Sequence, residues 1–323
     1  MKLTEKWLVA AACVSAALCA LSFLPSVTGR HAPKPVRAPL VDGDARIAAV
    51  LITQGEATLR LEQHGSLWTA NDGGITAPAD LRMVSGLCER LLKVQRLYKI
   101  ADSVKKLHDD MLFSTVSVYS TDGNLYEKID FYLRRASSDR LLAYTDSLSG
   151  VYETEQALTT YMQASLALYA AQELFWGIQT VTAVSFFDYR AGGVQRFQYA
   201  DAAHGAEANP VAFIVPDGGV SALGRRLLAL RHGGLLPISD GAAETPVAVI
   251  VLDDAGGRRN RLSIYRTAAD SASNTYRCVA HFEPSPTDSA EDTAALRDFS
   301  QYQAEISAWT FERLMELLAP VGS

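Results

Sequence analysis

The feature that most constrains the fold is a short segment that occurs twice. Residues 67–76 read Leu-Trp-Thr-Ala-Asn-Asp-Gly-Gly-Ile-Thr, and residues 212–221 read Ala-Phe-Ile-Val-Pro-Asp-Gly-Gly-Val-Ser. Both contain an aromatic residue, then Asp-Gly-Gly, then a β-branched residue and a hydroxyl residue. This repetition predicts a duplicated unit, because each copy must supply the same strands and helices. We expect the two copies at residues 45–178 and 179–323.

Each copy combines antiparallel strands with two helices. In the first copy, alternating apolar residues predict strands over residues 47–53, 57–63, 114–119 and 125–134. Apolar residues at helical spacing predict helices over residues 79–100 and 157–177. The second copy repeats this order and ends in a helix over about 292–318. Because strands and helices do not alternate one by one, the expected fold class is α+β.

An apolar segment precedes the two copies. Residues 7–24 carry no charged side chain, and as a helix they would span about 27 Å, close to the hydrocarbon thickness of a bilayer. We therefore expect an uncleaved N-terminal transmembrane helix within residues 1–29, followed by a Pro-rich linker at residues 30–44. A cleaved signal peptide and a lipoprotein signal remain the alternatives, although no clear Ala-x-Ala cleavage site follows Ser22.

The charges that flank this segment bear on its orientation. Lys2 and Lys6 favour a cytoplasmic N-terminus, whereas Arg30, Lys34 and Arg37 favour the opposite orientation. A short charged tail is a poor candidate for export. We therefore expect a signal-anchor protein that crosses the inner (cytoplasmic) membrane once and places its C-terminal domain in the periplasm.

Composition and cysteine use exclude several classes of protein. A hydrophobic content of 48% predicts a folded chain, and a net charge of -6 argues against nucleic acid as a partner. Outside the apolar segment only Cys88 and Cys278 remain, and we expect two buried free thiols. A disulfide between the copies is the alternative that an oxidising compartment would allow.

The sequence contains no recognised catalytic motif. No Gly-rich segment continues into Gly-Lys-Ser/Thr, and no Gly-x-Ser-x-Gly occurs. Asp109-Asp110 and Asp253-Asp254 lie at predicted turns, where aspartates usually cap or contact solvent. The histidines lack metal-ligand spacing; they are His31, His64, His108, His204, His232 and His281. We therefore expect no enzyme activity and assign no catalytic, cofactor-binding or metal-binding residue, and no cofactor.

Three further features have a structural and a functional interpretation. Asp72-Gly-Gly and Asp217-Gly-Gly are interpreted as strand-to-helix turns with Thr76 and Ser221 as helix N-caps; an anion-binding loop is the alternative. The last helix is expected to cover its own sheet, with docking to a transporter subunit as the alternative. The tyrosines of the first copy are interpreted as sheet residues, with a platform for glycan or lipid as the alternative; they are Tyr119, Tyr126, Tyr132, Tyr144, Tyr152, Tyr161 and Tyr169.

Together with the anchor, several segments of the first copy resemble a bacterial family, the domain-of-unknown-function family numbered 4340. The segments that carry the resemblance are Ile47-Ala-Ala-Val-Leu-Ile, Leu59-Arg-Leu, Leu67-Trp68, Ala79-Asp80 and the pattern Val84, Leu87, Leu91, Leu92, Leu97. The second copy departs from this pattern, since Phe213 stands where the first copy has Trp68.

Members of this family are envelope proteins associated with ABC transport systems of the gliding-motility type. The resemblance therefore implies a non-enzymatic, membrane-anchored extracytoplasmic accessory subunit of such an export system. Its expected partners are the permease and ATPase or auxiliary envelope subunits, with the membrane contacted through residues 7–24. The family has no established catalytic residue, so none is transferred. The alternative function is an envelope glycan- or lipid-binding module.

Overall fold

Two β-sheets make up most of the structure, which is a computed structural model. It describes residues 34–107, 112–134, 137–155, 157–190, 193–199, 212–214, 216–237, 245–267, 275–298 and 301–318. Strands account for 48% of the structure and helices for 19%. The predicted α+β class is therefore wrong: the chain is mostly β, with helices added to two antiparallel sheets.

The first sheet contains ten strands. They are β1 Val36–Ala38, β2 Ile47–Gln54, β3 Ala57–His64, β4 Leu67–Asn71, β5 Thr76–Pro78, β6 Gln95–Ala101, β7 Leu112–Ser120, β8 Leu125–Arg134, β9 Ser137–Thr145 and β10 Val151–Thr154. Their order across the sheet is β1-β6-β10-β9-β8-β7-β2-β3-β4-β5. Two helices belong to this half, α1 Leu81–Leu92 and the single turn α2 Leu166–Tyr169, together with a 3-10 turn at Val104–Lys106.

The second sheet contains eight strands. They are β11 Val181–Asp188, β12 Gln195–Tyr199, β13 Ala212–Ile214, β14 Gly234–Leu236, β15 Ala248–Asp254, β16 Arg259–Arg266, β17 Thr275–Glu283 and β18 Gln301–Ser307. Their order is β13-β12-β11-β15-β16-β17-β18-β14. Three helices accompany them, α3 Gly219–Leu228, α4 Ala290–Asp298 and α5 Ala308–Leu318.

The two sheets share one strand order. From β6 to β4 the first sheet runs β6-β10-β9-β8-β7-β2-β3-β4, and the second runs β14-β18-β17-β16-β15-β11-β12-β13. The strands that occupy matching positions also follow one another in the same chain order. The copies differ at one edge, because β4 pairs antiparallel with β3 whereas β13 pairs parallel with β12.

Alternation along the strands produces one apolar face on each sheet. In β2 and β3 the side chains of Val50, Ile52, Leu59 and Leu61 are fully buried, while the intervening Arg60 is exposed. The first core forms between this face and α1, whose buried residues Val84, Leu87 and Leu91 follow helical spacing. The second core packs α3 and α5 against the corresponding face of the second sheet.

The predicted helix over residues 79–100 ends early. Helix α1 stops at Leu92, and Lys93 takes an extended backbone with ψ of 129°. Residues Gln95–Ala101 then form β6, in which Gln95 and Leu97 are buried and Arg96 is exposed. The apolar spacing of Leu91, Val94 and Leu97 fits a helix, but the edge of the sheet requires a strand here.

The two other long predicted helices are also wrong. The segment predicted as a helix over 157–177 contains only the four residues of α2. The predicted helix over 292–318 divides into α4, β18 and α5. In β18 the alternate residues Tyr302, Ala304 and Ile306 are buried against the second core, which explains why this segment pairs in the sheet.

The membrane predictions are contradicted as well. No helix among the described residues is both long and apolar enough to span a bilayer; the longest, α1, has 12 residues. This finding corrects the expected transmembrane signal-anchor and the single-pass inner-membrane localisation with a periplasmic domain. The predicted anchor at residues 7–24 lies outside the described part of the chain.

Candidate functional site

Residues 170–178, named the junction segment, join the two sheets. On one side the backbone N–H of Ala171 donates to Pro78 O at 2.8 Å, next to the end of β5. On the other side the N–H of His232 donates to Gln172 O at 3.0 Å. The junction segment therefore lies between an edge of the first sheet and the residues that lead into β14, and it aligns the two sheets through backbone hydrogen bonds.

A second contact between the copies involves a buried carboxylate. Asp292, in the first turn of α4, is 8% exposed and accepts hydrogen bonds from the N–H and the hydroxyl of Ser66. Its own N–H donates to the Ser289 hydroxyl at 2.9 Å. Burial alone would raise the pKa of Asp292, but the hydrogen bonds from Ser66 and Ser289 outweigh it and the pKa is lowered. The carboxylate is thus a structural link between the two copies.

A cavity of about 310 Å³ lies beside the junction segment. Its wall comes from three parts of the chain, and we call it the junction cavity. The turn after β4 contributes Asp72 and Ile75; the region around α2 contributes Leu166, Ala167, Ala170 and Gln172; and the second copy contributes His232, Gly233, Gly234 and Leu235. Both copies are therefore needed to form it, and its volume is at the small end of the range typical of ligand pockets.

His232 is the chemically distinctive residue of the junction cavity. It is 9% exposed, and its Nε2 lies 3.0 Å from the carbonyl oxygen of Ala171. A carbonyl oxygen can only accept, so Nε2 carries the hydrogen and Nδ1 of the neutral ring is an acceptor. Nδ1 is shielded from solvent and has no hydrogen-bond partner. A buried acceptor without a donor is costly, and because Nδ1 is closed off from the cavity as well as from bulk solvent, this cost belongs to the packing of the ring.

The surroundings keep the His232 ring neutral and fixed. Burial lowers its pKa, and the hydrogen bond to Ala171 and the nearby Glu173 counteract this only in part. The ring centroid lies 6.3 Å from that of Tyr302, whose hydroxyl donates to Glu173 O at 3.1 Å. Tyr302 in turn stacks on Phe282. The imidazole is therefore a fixed part of the cavity wall.

The repeated Asp-Gly-Gly segments form turns of two different kinds. Asp72 Oδ1 accepts from the N–H groups of Gly74 and Ile75, which closes a hairpin turn between β4 and β5. The predicted N-cap Thr76 lies in β5, and Asp80 caps α1 instead. In the second copy Gly218, with φ of 78°, is the N-cap of α3, and the predicted N-cap Ser221 lies inside that helix.

The glycine amides of the first turn are already used. Gly73 N–H donates to Asn71 Oδ1 at 2.6 Å, and Gly74 N–H donates to Asp72. An anion-binding loop needs such amides free to point at the ligand. The geometry therefore argues against the anion-loop interpretation of Asp72-Gly-Gly.

The remaining histidines, aspartates and cysteines that the structure describes do not form a cluster. Among the described residues no group of three or more His, Cys, Asp or Glu side chains could hold a metal ion. His31, His108, His204 and Asp109-Asp110 lie outside the described residues. Asp253 pairs with Arg259 at 2.6 Å, and Asp254 accepts from Thr180 N–H. Cys88 and Cys278 are free, and burial raises the pKa of the Cys88 thiol to about 11 and that of Cys278 still further.

The tyrosines and the last helix have mostly structural positions. Tyr152 and Tyr169 are buried in the first core, whereas Tyr132 is buried in a separate small cluster with Leu142 and Val151. The tyrosines thus do not share one exposed face. In α5 the residues that face the second core include Phe311 and Leu314, but Trp309 is 71% exposed.

The face of the second sheet opposite α3 and α5 carries arginines; it is named the arginine face. Arg196 lies over the ring of Phe187 at 5.3 Å, and Arg277 lies over Tyr265 at 4.6 Å. Arg261 is exposed on the same face, and it makes no ion pair among the described residues. The strand register places these residues on one side, since Arg196 is paired with Phe187 and Tyr265 with Arg277.

Sequence patterns did not identify the junction cavity. In the sequence His232 is one of several scattered histidines, and its partner Ala171 lies 61 positions away. The one local signal is the pair Gly233-Gly234, which exposes backbone beside the imidazole. Comparison of the chain with family models, with curated proteins and with solved structures found no match.

Proposed function

We propose that this chain is a non-enzymatic binding protein that holds a small molecule in the junction cavity. One observation carries the proposal: the junction cavity, of about 310 Å³, is formed by residues of both copies and has a largely apolar wall around the buried imidazole of His232. Concave, mostly apolar pockets with a few polar groups are the usual sites of small-molecule binding. A ligand that enters the cavity can contact Ile75, Leu166 and Leu235 with its apolar part.

The proposal is tested by filling the cavity from its rim. Ala167 is an exposed wall residue, so Ala167→Phe should occupy the cavity without disturbing either core. Ala57→Phe is the matched control, since Ala57 is exposed at the start of β3 and does not line the cavity. A library of small molecules is screened by thermal shift and native mass spectrometry on the wild type and both variants.

We expect ligands that bind the wild type and Ala57→Phe but not Ala167→Phe. The proposal is wrong if the wild type binds nothing, or if every ligand binds Ala167→Phe equally well. In the second case the ligands occupy another surface, such as the depression of about 470 Å³ lined by His64 and Glu291.

A second candidate function follows from the arginine face. We propose that the chain acts as an accessory subunit of an ABC-type export system, as its family resemblance implies, and that this face contacts an acidic surface of a partner subunit. The support is the place of Arg261, which is exposed beside Arg196 and Arg277 on one face of the second sheet and makes no ion pair among the described residues. Complementary charge steers association and fixes register, so an unpaired cation favours such a contact.

Charge reversal separates this role from general solubility effects. Tagged wild type, Arg261→Glu and Arg226→Glu are crosslinked mildly in the native host and recovered by affinity purification. Arg226 is an exposed arginine on α3, away from the arginine face. We expect the wild type and Arg226→Glu to be recovered together with exporter ATPase or permease subunits. Recovery of these subunits should fall strongly with Arg261→Glu. Recovery of the wild type without exporter subunits would contradict the proposal.

A further inference from the structure

Residues 231–236, named the edge segment, include the outermost strand on one side of the second sheet. This strand, β14, has three residues, all of them half-buried. The backbone N–H of His232 donates to Gln172 O in the junction segment at 3.0 Å, and the N–H of Gly233 donates to Glu305 O in β18 at 2.7 Å. Short elements at a sheet edge, with little buried apolar surface, are among the parts of a fold that open most easily.

The ring of His232 fixes the edge segment to the junction segment. Its Nε2–H donates to Ala171 O at 3.0 Å, while Nδ1 is shielded and has no partner. The imidazolium would carry an N–H on Nδ1 as well. A buried cation with an unpaired donor costs much more free energy than a buried neutral acceptor. The ring therefore takes up a proton far more readily once the edge segment has detached and water reaches it.

The charged groups around the ring do not offset this cost. Burial is the largest influence, and it lowers the pKa of the imidazole; Glu173 opposes this effect and Arg231 adds to it, and these two side chains pair with each other at 3.3 Å. In β18, Tyr302 stays neutral because burial raises its pKa, and Glu305 lies on the other face of the strand. Asp72, across the junction cavity, is exposed to solvent, which weakens its effect on the ring.

We propose that the edge segment is an acid-sensitive switch: proton uptake by His232 favours a state in which this segment has left the junction segment and β18, while both cores stay folded. The inference concerns the junction itself and does not require a ligand. A histidine whose pKa is lowered in the closed state adds stability that is full above the pKa of the solvated ring, about 6.5. That stability is lost as the pH falls below this value. Because the edge segment supplies one wall of the junction cavity, the cavity opens in acid.

The test is hydrogen exchange resolved to single amides, measured on the full chain at about pH 7 and pH 5 and corrected for the intrinsic effect of pH on exchange. In His232→Gln the side-chain amide can still donate to Ala171 O but takes up no proton. His64→Gln is the control, since His64 is a half-buried histidine at the end of β3. In parallel, ¹⁵N-histidine spectra of the wild type follow protonation of the His232 ring.

Between about pH 7 and pH 5, the wild type and His64→Gln should exchange the amides of His232 and Gly233 about tenfold faster, as the pKa of a solvated histidine allows. The N–H of Ala171, which donates to Pro78 O in the first sheet, should keep its rate. In His232→Gln the amides at positions 232 and 233 should show no acceleration. In the wild type, ring protonation should follow the same pH curve as the exchange.

Three results would overturn the switch. Unchanged exchange of the two amides would mean that the edge segment does not open, and equal acceleration in His232→Gln would mean that another group is responsible. Loss of protection in β16 over the same pH range would mean that the second core unfolds as a whole. If His232→Gln does not fold, the wild-type spectra decide: a shared midpoint supports the proposal, and a ring that takes up its proton while Gly233 stays protected contradicts it.

Discussion

Asp292 accepts hydrogen bonds from both the backbone N–H and the hydroxyl of Ser66, at 2.7 and 3.0 Å, although 226 positions separate the two residues. This contact joins the β3–β4 turn of the first sheet to α4 of the second half. Neighbouring bonds strengthen it, because Arg258 forms a bidentate pair with Asp288 just before α4. The second half is therefore attached to the first at this turn as well as along the junction segment.

Removing the Asp292 carboxylate should weaken the whole chain. In Asp292→Ala the N–H and hydroxyl of Ser66 lose their acceptor at a partly buried contact, which should cost about 1–2 kcal/mol of unfolding free energy. Urea unfolding followed by circular dichroism measures this. Asp122→Ala is the control, since Asp122 is exposed in the β7–β8 turn, and it should change stability by less than about 0.5 kcal/mol. An equal effect of the two substitutions would show that the Ser66 contact is not needed.

Acid should destabilise the chain through its paired carboxylates. The hydrogen bond from Arg258 lowers the pKa of Asp288, against the opposing effect of burial, with a further contribution from Ser285 N–H. A carboxyl whose pKa is lowered on folding adds stability that is full above the pKa of the unfolded chain, about 3.9, and is lost as the pH falls towards the folded pKa. Below about pH 4 the unfolded state binds the proton more readily than the folded state does. The unfolding free energy therefore decreases as the pH is lowered.

Asp288→Asn tests this explanation. The variant should be less stable than the wild type at pH 7. Between about pH 5 and pH 3, the range around the pKa of an unfolded aspartate, it should lose less stability than the wild type does. Denaturant titrations at a series of pH values give both quantities. Asp122→Asn, in the exposed turn, should keep the acid sensitivity of the wild type. Parallel pH profiles for the wild type and Asp288→Asn would contradict the assignment.

Two turn glycines allow strain and steric conflict to be separated. Gly65 and Gly55 have almost the same φ, +60° and +58°. A Cβ at Gly65 would lie 2.6 Å from Asp292 Oδ1, whereas nothing lies within 4 Å of a Cβ at Gly55. Gly55→Ala should cost about 1 kcal/mol for the left-handed backbone, and Gly65→Ala should cost clearly more because it also displaces the Asp292 carboxylate. Thermal unfolding of both variants measures the two losses of stability. Equal losses would mean that the Asp292 carboxylate moves aside without cost.

A close approach of helix and strand gives a further prediction. A Cβ on Gly224 in α3 would lie 2.5 Å from the Cβ of Val181 in β11. Gly224→Ala should therefore destabilise the chain by about 1–3 kcal/mol, although alanine favours a helix by about 1 kcal/mol over glycine. Val181→Gly removes the conflicting Cβ, so the double variant should be more stable than the sum of the single effects predicts. Strict additivity in a denaturant-based double-mutant cycle would exclude this contact.

Local alternation predicted much of the first sheet but not its edges. The predicted strand over 47–53 is found as β2, and the one over 57–63 as β3. The segment after Leu92 shows why the edge was missed, since Leu97 is buried on a strand while keeping helical spacing from Leu91. When a segment contains few apolar residues, their positions can fit both the helical and the strand period. Pairing with neighbouring strands then determines which structure forms.

The candidate site was beyond what sequence patterns could indicate. Asp72, Ala170 and His232 belong to three separate segments, and no periodicity relates them. The orphan acceptor of His232 exists only because Ala171 takes the opposite ring nitrogen, which is a consequence of tertiary packing. Motif reasoning finds groups with fixed spacing, whereas this site depends on how the copies meet.

The division of the cores has a consequence for the order of folding. Every buried residue of the first core lies between Leu40 and Tyr169, so that core is complete once this part of the chain has left the ribosome. The second core requires α5, the last described helix, and it also takes Leu67 from the first sheet. We therefore expect the first half to fold while synthesis continues and to offer a finished surface, with Leu67 exposed on it, to the residues that follow. The second half can then fold against the surface of the first half, which has already formed.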